Sequence, residues 1–297
     1  MKLNIRKILV PIDFSETGLL AMEHAAFLAR LVKAEITLLH VIPLTEYYFR
    51  LPEPIMYIET AEEMRQMIEN KLTETAKEMR KEYSISVRTL ATRGKVAAEV
   101  VEIAREEKSD LIIMGTHGAK GFEEYFIGSN AERVVSLAPC PVVTVQTHAT
   151  HLGFTNIVLP IDRLPHSREK VEPAIQLASV YNAKIHILGL LEEEGEGEYE
   201  KLQIVLNQVQ TRVEHAGLTF TRHTLKGTNL AVESLKYANS VAADLIIIMT
   251  DQESKLTGIL LGVIARQIVN HSRVPVMSIK PHYHEFASID LTGAYHY

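Results

Sequence analysis

Short runs of aliphatic and β-branched residues alternate along the chain with longer segments in which apolar residues recur every three or four positions. This alternation is typical of βαβ units and of a parallel sheet. In the first half it predicts strands near 5–12, 35–42, 84–91, 110–115 and 141–146, and helices near 15–33, 57–82, 95–108 and 129–138. In the second half it predicts strands near 155–161, 184–191, 218–225, 243–249 and 274–279. Segments such as 111–114 are apolar at every position, which indicates that helices cover both faces of the sheet.

The first helix of each half carries local signals. Ser15 is the expected N-cap of the first helix, and Glu16 lies where the positive helix end favours a carboxylate. In the second half Pro173 falls inside the equivalent segment. Because proline removes a backbone donor, we expect this helix to be kinked or to begin late. The acidic stretch 192–200 contains two glycines and is predicted to be a solvated loop.

The two halves repeat one pattern. The segment Ile8–Asp13 recurs as Ile157–Asp162, an offset of 149 residues. Later landmarks, including Gly128 and Gly262, recur at an offset of 134, so the second copy is shorter by about 15 residues. We therefore predict domains at 1–148 and 149–281, each with its own core, followed by a C-terminal tail at 282–297.

Composition narrows the class of protein. Hydrophobic residues make up 46% of the chain and charged residues 23%, which excludes a disordered chain. The net charge of −6 gives no general attraction to nucleic acid or to an acidic membrane. The single Cys140 cannot form an internal disulfide, and no apolar run approaches the ~20 residues that span a bilayer. We expect a cytoplasmic protein with neither nucleic acid nor membrane as partner.

A glycine pattern follows the fourth predicted strand of the first half. Gly115 and Gly118 are followed nine residues later by Gly128 and Ser129, at the start of a predicted helix. Glycines let backbone amides approach a phosphate without obstruction by a Cβ, and they also admit positive φ. A helix N-terminus adds free N–H groups and a partial positive charge. The pattern therefore predicts a phosphate-bearing ligand.

Several chemistries lack their motifs. The chain contains no Walker A sequence, no G-x-S-x-G elbow and no C-x-x-C site. His117 and Lys120 lie in the glycine segment, but no base with an orienting partner accompanies them, so no catalytic residue is predicted. His282 and His284 in the tail provide two metal ligands where zinc usually needs three or four, so no metal site is predicted.

These motifs resemble the universal stress protein family over essentially the whole chain, in two copies. The resemblance rests on Val10–Asp13, on His40 and Val41, and on the glycine pattern with Ser129 and Asn130. It implies an α/β fold of two Rossmann-like domains of the adenine nucleotide alpha hydrolase type. Each would be an open five-stranded parallel sheet of order 3-2-1-4-5, with ATP at the carboxyl edge of the strands, where open α/β sheets bind ligands.

The resemblance also implies residue roles. Asp13 would contact the ribose or the adenine, a role that competes with capping of the next helix, and Val41 would contact the adenine through its backbone. The glycines with Ser129 and Asn130 would hold the phosphates. The ligand would be ATP with Mg2+, with AMP or ADP as the alternatives. The complete candidate set for nucleotide binding is Pro11, Asp13, Val41, Met114, Gly115, His117, Gly118, Gly128, Ser129 and Asn130.

The second half departs from this pattern. Met249, Gln252 and Val263 replace Gly115, Gly118 and Ser129 respectively, so we expect one nucleotide site per chain. The strands at 141–145 and 275–279 are short, apolar sheet edges and are expected to pair the halves as a pseudo-dimer. A further homodimer is a second possibility. The expected function is a nucleotide-dependent regulatory or stress-response module that acts on an unknown protein partner; the alternative is a slow ATP-hydrolysing or transferase enzyme at the same site.

Overall fold

A computed structural model describes residues 4–43, 55–116, 127–192, 197–250 and 262–281, with the side chains of 55–61 left out. The described strands form one ten-stranded sheet of order β3-β2-β1-β4-β5-β10-β9-β6-β7-β8. Each half contributes five strands in the order 3-2-1-4-5, as the resemblance implied. The predicted tail at 282–297 lies outside the described residues.

The first half alternates strands and helices as the hydrophobic pattern predicted. Its strands are β1 (Lys7–Pro11), β2 (Glu35–Pro43), β3 (Ser86–Gly94), β4 (Leu111–Gly115) and β5 (Val142–Val145). Its helices are α1 (Glu16–Val32), α2 (Ile55–Tyr83), α3 (Val96–Glu106) and α4 (Ser129–Leu137). All four strand pairings within this half are parallel.

The second half repeats this order. Its strands are β6 (Asn156–Ile161), β7 (Lys184–Leu191), β8 (Phe220–Lys226), β9 (Leu245–Met249) and β10 (Val276–Ile279). Its helices are α5 (Val171–Tyr181), α6 (Glu198–His215), α7 (Leu230–Ser240) and α8 (Val263–His271). Helix α6 begins inside the stretch 192–200 that the charge pattern predicted to be a loop, and Glu198 in its first turn pairs with Arg163. Among the described residues, no helix combines the length and the hydropathy needed to cross a bilayer.

The first helix of the second half begins late, as Pro173 predicted. A 3-10 turn at Pro165–Arg168 stands where the 149-residue offset would place the first turn of a helix like α1. Helix α5 then begins at Val171, which puts Pro173 in its first turn. Backbone N–H groups in the first turn have no intrahelical partner, so the proline costs no hydrogen bond there.

The two halves join through their edge strands. Strands β5 and β10 pair antiparallel, with Met277 opposite Val143. This is the edge pairing that the sequence predicted, and it makes the two five-stranded sheets continuous. Where the chain passes between the halves, His24 Nε2 lies 2.8 Å from the Ala149 carbonyl oxygen, and the His24 ring stacks on Phe154.

The buried side chains are organised by sheet face, which differs from the expectation of one core per half. One cluster lies under α1, α2, α5 and α6, and a second lies under α3, α4, α7 and α8. Each cluster contains residues from both halves. The β5–β10 pairing causes this arrangement, because it aligns the equivalent faces of the two sheets so that each helical layer covers both.

Candidate functional site

The loop after β1 brings Asp13 to the carboxyl edge of the sheet. Pro11 ends the strand, and the Asp13 side chain is exposed two residues later. Its Oδ1 accepts hydrogen bonds from the backbone N–H of Ser15 at 3.0 Å and from the Ser15 hydroxyl at 2.5 Å. Ser15 Oγ in turn accepts from Gly18 N–H, so Ser15 is the predicted N-cap of α1. Asp13 therefore supports the cap without being the cap itself.

His40 on the neighbouring strand fixes the same loop. Its Nδ1 lies 2.7 Å from the Ile12 carbonyl oxygen, and its ring stacks on Phe14 at 5.6 Å. Since a carbonyl oxygen only accepts, Nδ1 carries the proton and donates. Burial lowers the pKa of His40, although the bond to Ile12 opposes that change. In the sequence His40 is only one of the residues that carry the family resemblance. Its hydrogen bond to Ile12 shows that it positions the Asp13 loop.

Val41 and Met114 contribute to this edge by position. Both side chains are buried in the same apolar cluster, at 7% and 6% exposure, so they face the core. Leu39 accepts a bond from Ile12 N–H on the β1 side of β2. Because alternate residues of a strand direct their backbone groups to the same neighbour, Val41 directs its N–H and C=O to that side, beyond the end of β1. The backbone of Val41 is thus directed past the end of β1, at the carboxyl edge of the sheet.

Gly115 has a packing reason to be glycine. A Cβ built there would lie 2.7 Å from Thr17 Oγ1 and 2.8 Å from the Thr17 carbonyl carbon. Real Cβ atoms essentially never approach other heavy atoms this closely, so any side chain would push the first turn of α1 away from β4. The glycine at the end of β4 is therefore needed to seat the helix that follows Asp13.

The N-terminus of α4 lies at the other end of the glycine segment. Gly128 is its N-cap, and its N–H donates to the Thr116 carbonyl oxygen at 2.8 Å. Ser129 and Asn130 form the exposed start of the helix. Gly128 has φ −62°, a value open to any residue, so the positive φ that glycine admits is not used there. His117 and Gly118 lie outside the described residues.

The equivalent edge of the second half holds a cavity of about 870 Å³. Asp162, Glu192 and Glu198 line it, against the single guanidinium of Arg163. Arg163 pairs with Glu198 at 2.7 Å, so its charge is already neutralised. The Glu198 side chain is 14% exposed, and the hydrogen bond that it accepts from Lys201 lowers its pKa. The second half thus keeps space at this edge but lines it with carboxylates.

Three residues differ between the two edges in ways that change the local packing. The counterpart of His40 is Gly189, where a Cβ would lie 2.7 Å from Leu206 Cδ1. The counterpart of Gly115 is Met249, which is buried at 5% exposure. Val263 stands 59% exposed at the first position of α8, where the first half has Ser129. Within the described ranges, no three His, Cys, Asp or Glu side chains group as a metal site would require.

Both halves of the chain match known proteins. The model of the universal stress protein family matches residues 4–146 and again residues 153–280. A universal stress protein of Methanocaldococcus jannaschii is 35% identical over 158 residues, which cover 49% of this chain and 98% of the relative. One from Mycolicibacterium smegmatis is 23% identical over 292 residues, which cover 92% and 97% of the two chains.

Solved structures show the same fold. The crystal structure of a universal stress protein from Archaeoglobus fulgidus superposes with a TM-score of 0.76 at 21% identity, covering 94% of this chain and 99% of the other. One from Pseudomonas aeruginosa gives a TM-score of 0.70 at 19% identity, with coverages of 94% and 95%. Because the family model matches twice and together spans nearly the whole sequence, the chain belongs to the universal stress protein family and carries two copies of its domain in tandem.

Proposed function

We propose that the chain binds one adenine nucleotide, of the ATP type, at the carboxyl edge of the first half and acts as a nucleotide-dependent regulatory module of the stress response. The observation that carries the proposal is the convergence of two helix N-termini and a carboxylate on one sheet edge. Helix α1 begins beside Asp13, and α4 begins at Gly128 after the glycine segment.

The phosphate end of the ligand is assigned to α4. The first N–H groups of a helix have no intrahelical partner, and those of Ser129 and Asn130 follow an N-cap that has no side chain of its own to bind them. This arrangement suits an anion, since the N–H groups and the helix dipole act together. Gly115, His117 and Gly118 complete the proposed phosphate segment, with Mg2+ bound through the phosphates.

The adenosine end is assigned to the loop after β1. The Asp13 carboxylate accepts from hydroxyl and amide donors in this structure, which is the chemistry a ribose hydroxyl offers. His40 holds the carbonyl before Asp13 and so fixes the loop in place. Val41 would meet the adenine through its backbone, beside Pro11 and Met114.

The second half is proposed as a structural partner that does not bind a triphosphate. Besides the Arg163–Glu198 ion pair, its cavity is lined by the carboxylates of Asp162 and Glu192, which repel a highly negative ligand. Met249 places a buried side chain where the first half has Gly115, and Val263 places an apolar side chain where it has Ser129. Space alone is therefore insufficient for binding at this edge.

Matched valine substitutions test the assignment. Gly128 and Gly262 are the N-caps of α4 and α8 and have nearly the same backbone, with φ of −62° and −56°. Calorimetric titration of nucleotide-free protein with ATP and Mg2+ should give a stoichiometry near one. Gly128→Val should weaken binding about thirtyfold, equivalent to ~2 kcal/mol, and Gly262→Val should leave it unchanged. Two sites per chain, or equal effects of the two variants, would contradict the proposal.

The fate of the bound nucleotide separates regulation from catalysis. A binding module should retain intact ATP over hours with Mg2+, whereas an ATP-hydrolysing or transferase enzyme should convert it. Chromatography of the nucleotide released from the protein at successive times measures this directly. Steady loss of ATP that Gly128→Val abolishes would establish the enzymatic alternative.

A further inference from the structure

A second cavity lies where the two halves meet, at the carboxyl ends of β4 and β5 and next to the proposed nucleotide site. It has a volume of about 270 Å³. Because β5 and β10 are antiparallel, the end of β5 meets the loop that leads into β10. From the first half the cavity is lined by Gln146 and His148, and also by Thr116 and Ile127 at the two ends of the glycine segment. Asn270, His271 and Arg273 line it from the second half.

Buried amide groups in this cavity lack partners. Gln146 is 8% exposed, and neither its Oε1 nor its Nε2 has a hydrogen-bond partner. The buried Oδ1 of Asn270 also has none. An unsatisfied buried polar group costs about 1–3 kcal/mol, so native structures seldom keep several in one place without a ligand or water. The amides of Gln146 and Asn270 present both a donor and acceptors to whatever fills the cavity.

The charge of the lining is positive. Arg273 is exposed and forms no ion pair with any residue that the structure describes. The imidazoles of His148 and His271 add ring nitrogens, and no described Asp or Glu lines the cavity. A guanidinium beside an unpartnered amide N–H is a combination that favours an oxyanion.

The fold does not require this set of side chains. The repeat gives the sheet a second corner of the same kind, where β10 ends beside the start of β5. The 134-residue offset identifies the residues that are equivalent at the two corners. Lys280 stands there in place of Gln146, and Ser136, Leu137 and Pro139 stand in place of Asn270, His271 and Arg273. The two corners share their strand pairing and differ in chemistry, so the polar set belongs to one corner alone.

We propose that this cavity binds a phosphate group that carries an additional O–H donor. The phosphate oxygens would accept from Arg273 and from the Gln146 amide N–H, and the O–H would donate to Gln146 Oε1 or to Asn270 Oδ1. The volume of about 270 Å³ holds a phosphate group with several waters, each of about 30 Å³, or a small phosphomonoester. Free phosphate carries this O–H itself at pH 7, whereas a phosphomonoester, whose second pKa is about 6, would supply it from a hydroxyl of its alcohol part.

Comparison of phosphate with sulfate tests the donor requirement. Sulfate has nearly the same shape and no proton at pH 7, so it leaves the buried acceptors unsatisfied. In calorimetric titrations of the full chain, inorganic phosphate should bind about tenfold more tightly than sulfate. Arg273→Ala should weaken both anions about tenfold, and Gln146→Leu should weaken phosphate and remove the preference over sulfate. Arg133→Ala removes an exposed arginine of α4 that does not line the cavity and should change neither.

Glycerol 3-phosphate distinguishes the two sources of the group. Tighter binding than inorganic phosphate indicates a phosphomonoester ligand, and weaker binding indicates free phosphate. Arg273 is exposed, so its alanine variant should fold, and a far-UV circular dichroism spectrum checks this.

The same titrations separate this site from the proposed nucleotide site. If Gly128→Val abolishes phosphate binding and Arg273→Ala does not, the glycine segment is the phosphate site and the cavity proposal is wrong. Equal affinities of the parent for phosphate and sulfate would also overturn it. If ATP fails to bind while the cavity variants behave as expected, the proposed function fails and the cavity site stands.

Discussion

Substitution of Gly115 should damage folding as well as nucleotide binding. The glycine pattern in the sequence suggested that its lack of a Cβ serves the ligand, whereas the structure places Thr17 against that position. Alanine would bring a Cβ within 2.9 Å of three atoms of Thr17, and one of the three is a backbone carbon. A backbone atom cannot rotate away, so the first turn of α1 must shift.

The magnitude follows from two opposing terms. Overpacking of a close contact costs about 1–3 kcal/mol, while replacement of glycine by alanine restricts the unfolded chain and returns about 0.4–1 kcal/mol. We expect Gly115→Ala to lower the free energy of unfolding by about 1–2 kcal/mol. Addition of Thr17→Ala removes the nearest contact, the 2.7 Å approach to Oγ1, but keeps the approaches to the Thr17 Cβ and carbonyl carbon. The double variant should therefore recover less than half of the loss.

Urea titration measures the effect. The transition is followed by far-UV circular dichroism and by the fluorescence of the 11 tyrosines. Coincidence of the two transitions shows that unfolding is two-state, which makes the free energy of unfolding well defined. Gly128→Ser is the matched control, because its φ of −62° accepts any residue and serine is a favoured N-cap. It should change stability by less than about 0.5 kcal/mol. Equal stability of Gly115→Ala and the parent would refute the packing argument.

Other predictions concern pH and the junction between halves. Burial lowers the pKa of His24, whose ring donates to the Ala149 carbonyl. The free energy of unfolding should therefore be retained above pH 6.5 and should fall as the pH drops below that value. His24→Gln keeps a hydrogen-bond donor, so it should make this pH dependence shallower. Glu132 Oε1 and Arg266 Nη2 form an ion pair across the junction at 2.8 Å, and both side chains are partly exposed. A double-mutant cycle should give a coupling energy of about 0.5 kcal/mol, and absence of coupling would show that solvent screens the pair. The fragment 1–148 should dimerise through β5, with Glu132 facing its own copy, so Glu132→Gln should strengthen the dimer in sedimentation experiments; a monomer at tens of micromolar would contradict this.

The local elements of this protein follow from its sequence. Strand runs that are apolar at every position predicted a sheet covered on both faces, because only a sheet between two helical layers buries both sides of its strands. The sequence also predicted that Ser15 caps α1 and that Pro173 delays the start of α5. Both predictions were possible because capping and proline geometry act within one helical turn. The 149- and 134-residue offsets align the two halves, and this alignment shows that Gly115, Gly118 and Ser129 have no equivalents in the second half, which is why the site was predicted in the first.

Tertiary structure decided the features that depend on distant residues. The contact between Gly115 and Thr17 joins positions 98 residues apart in the chain, so a glycine that reads as a ligand residue in the sequence also has a packing role. His40 has a positioning role because its ring donates to the Ile12 carbonyl, in the loop just after the neighbouring strand. The two apolar clusters follow the faces of the sheet because the β5–β10 pairing aligns both halves, and that same pairing brings Gln146 and Arg273 to the lining of one cavity. Hydrophobic periodicity specifies which face of an element is buried, but only the packed chain determines which distant side chains that burial brings into contact.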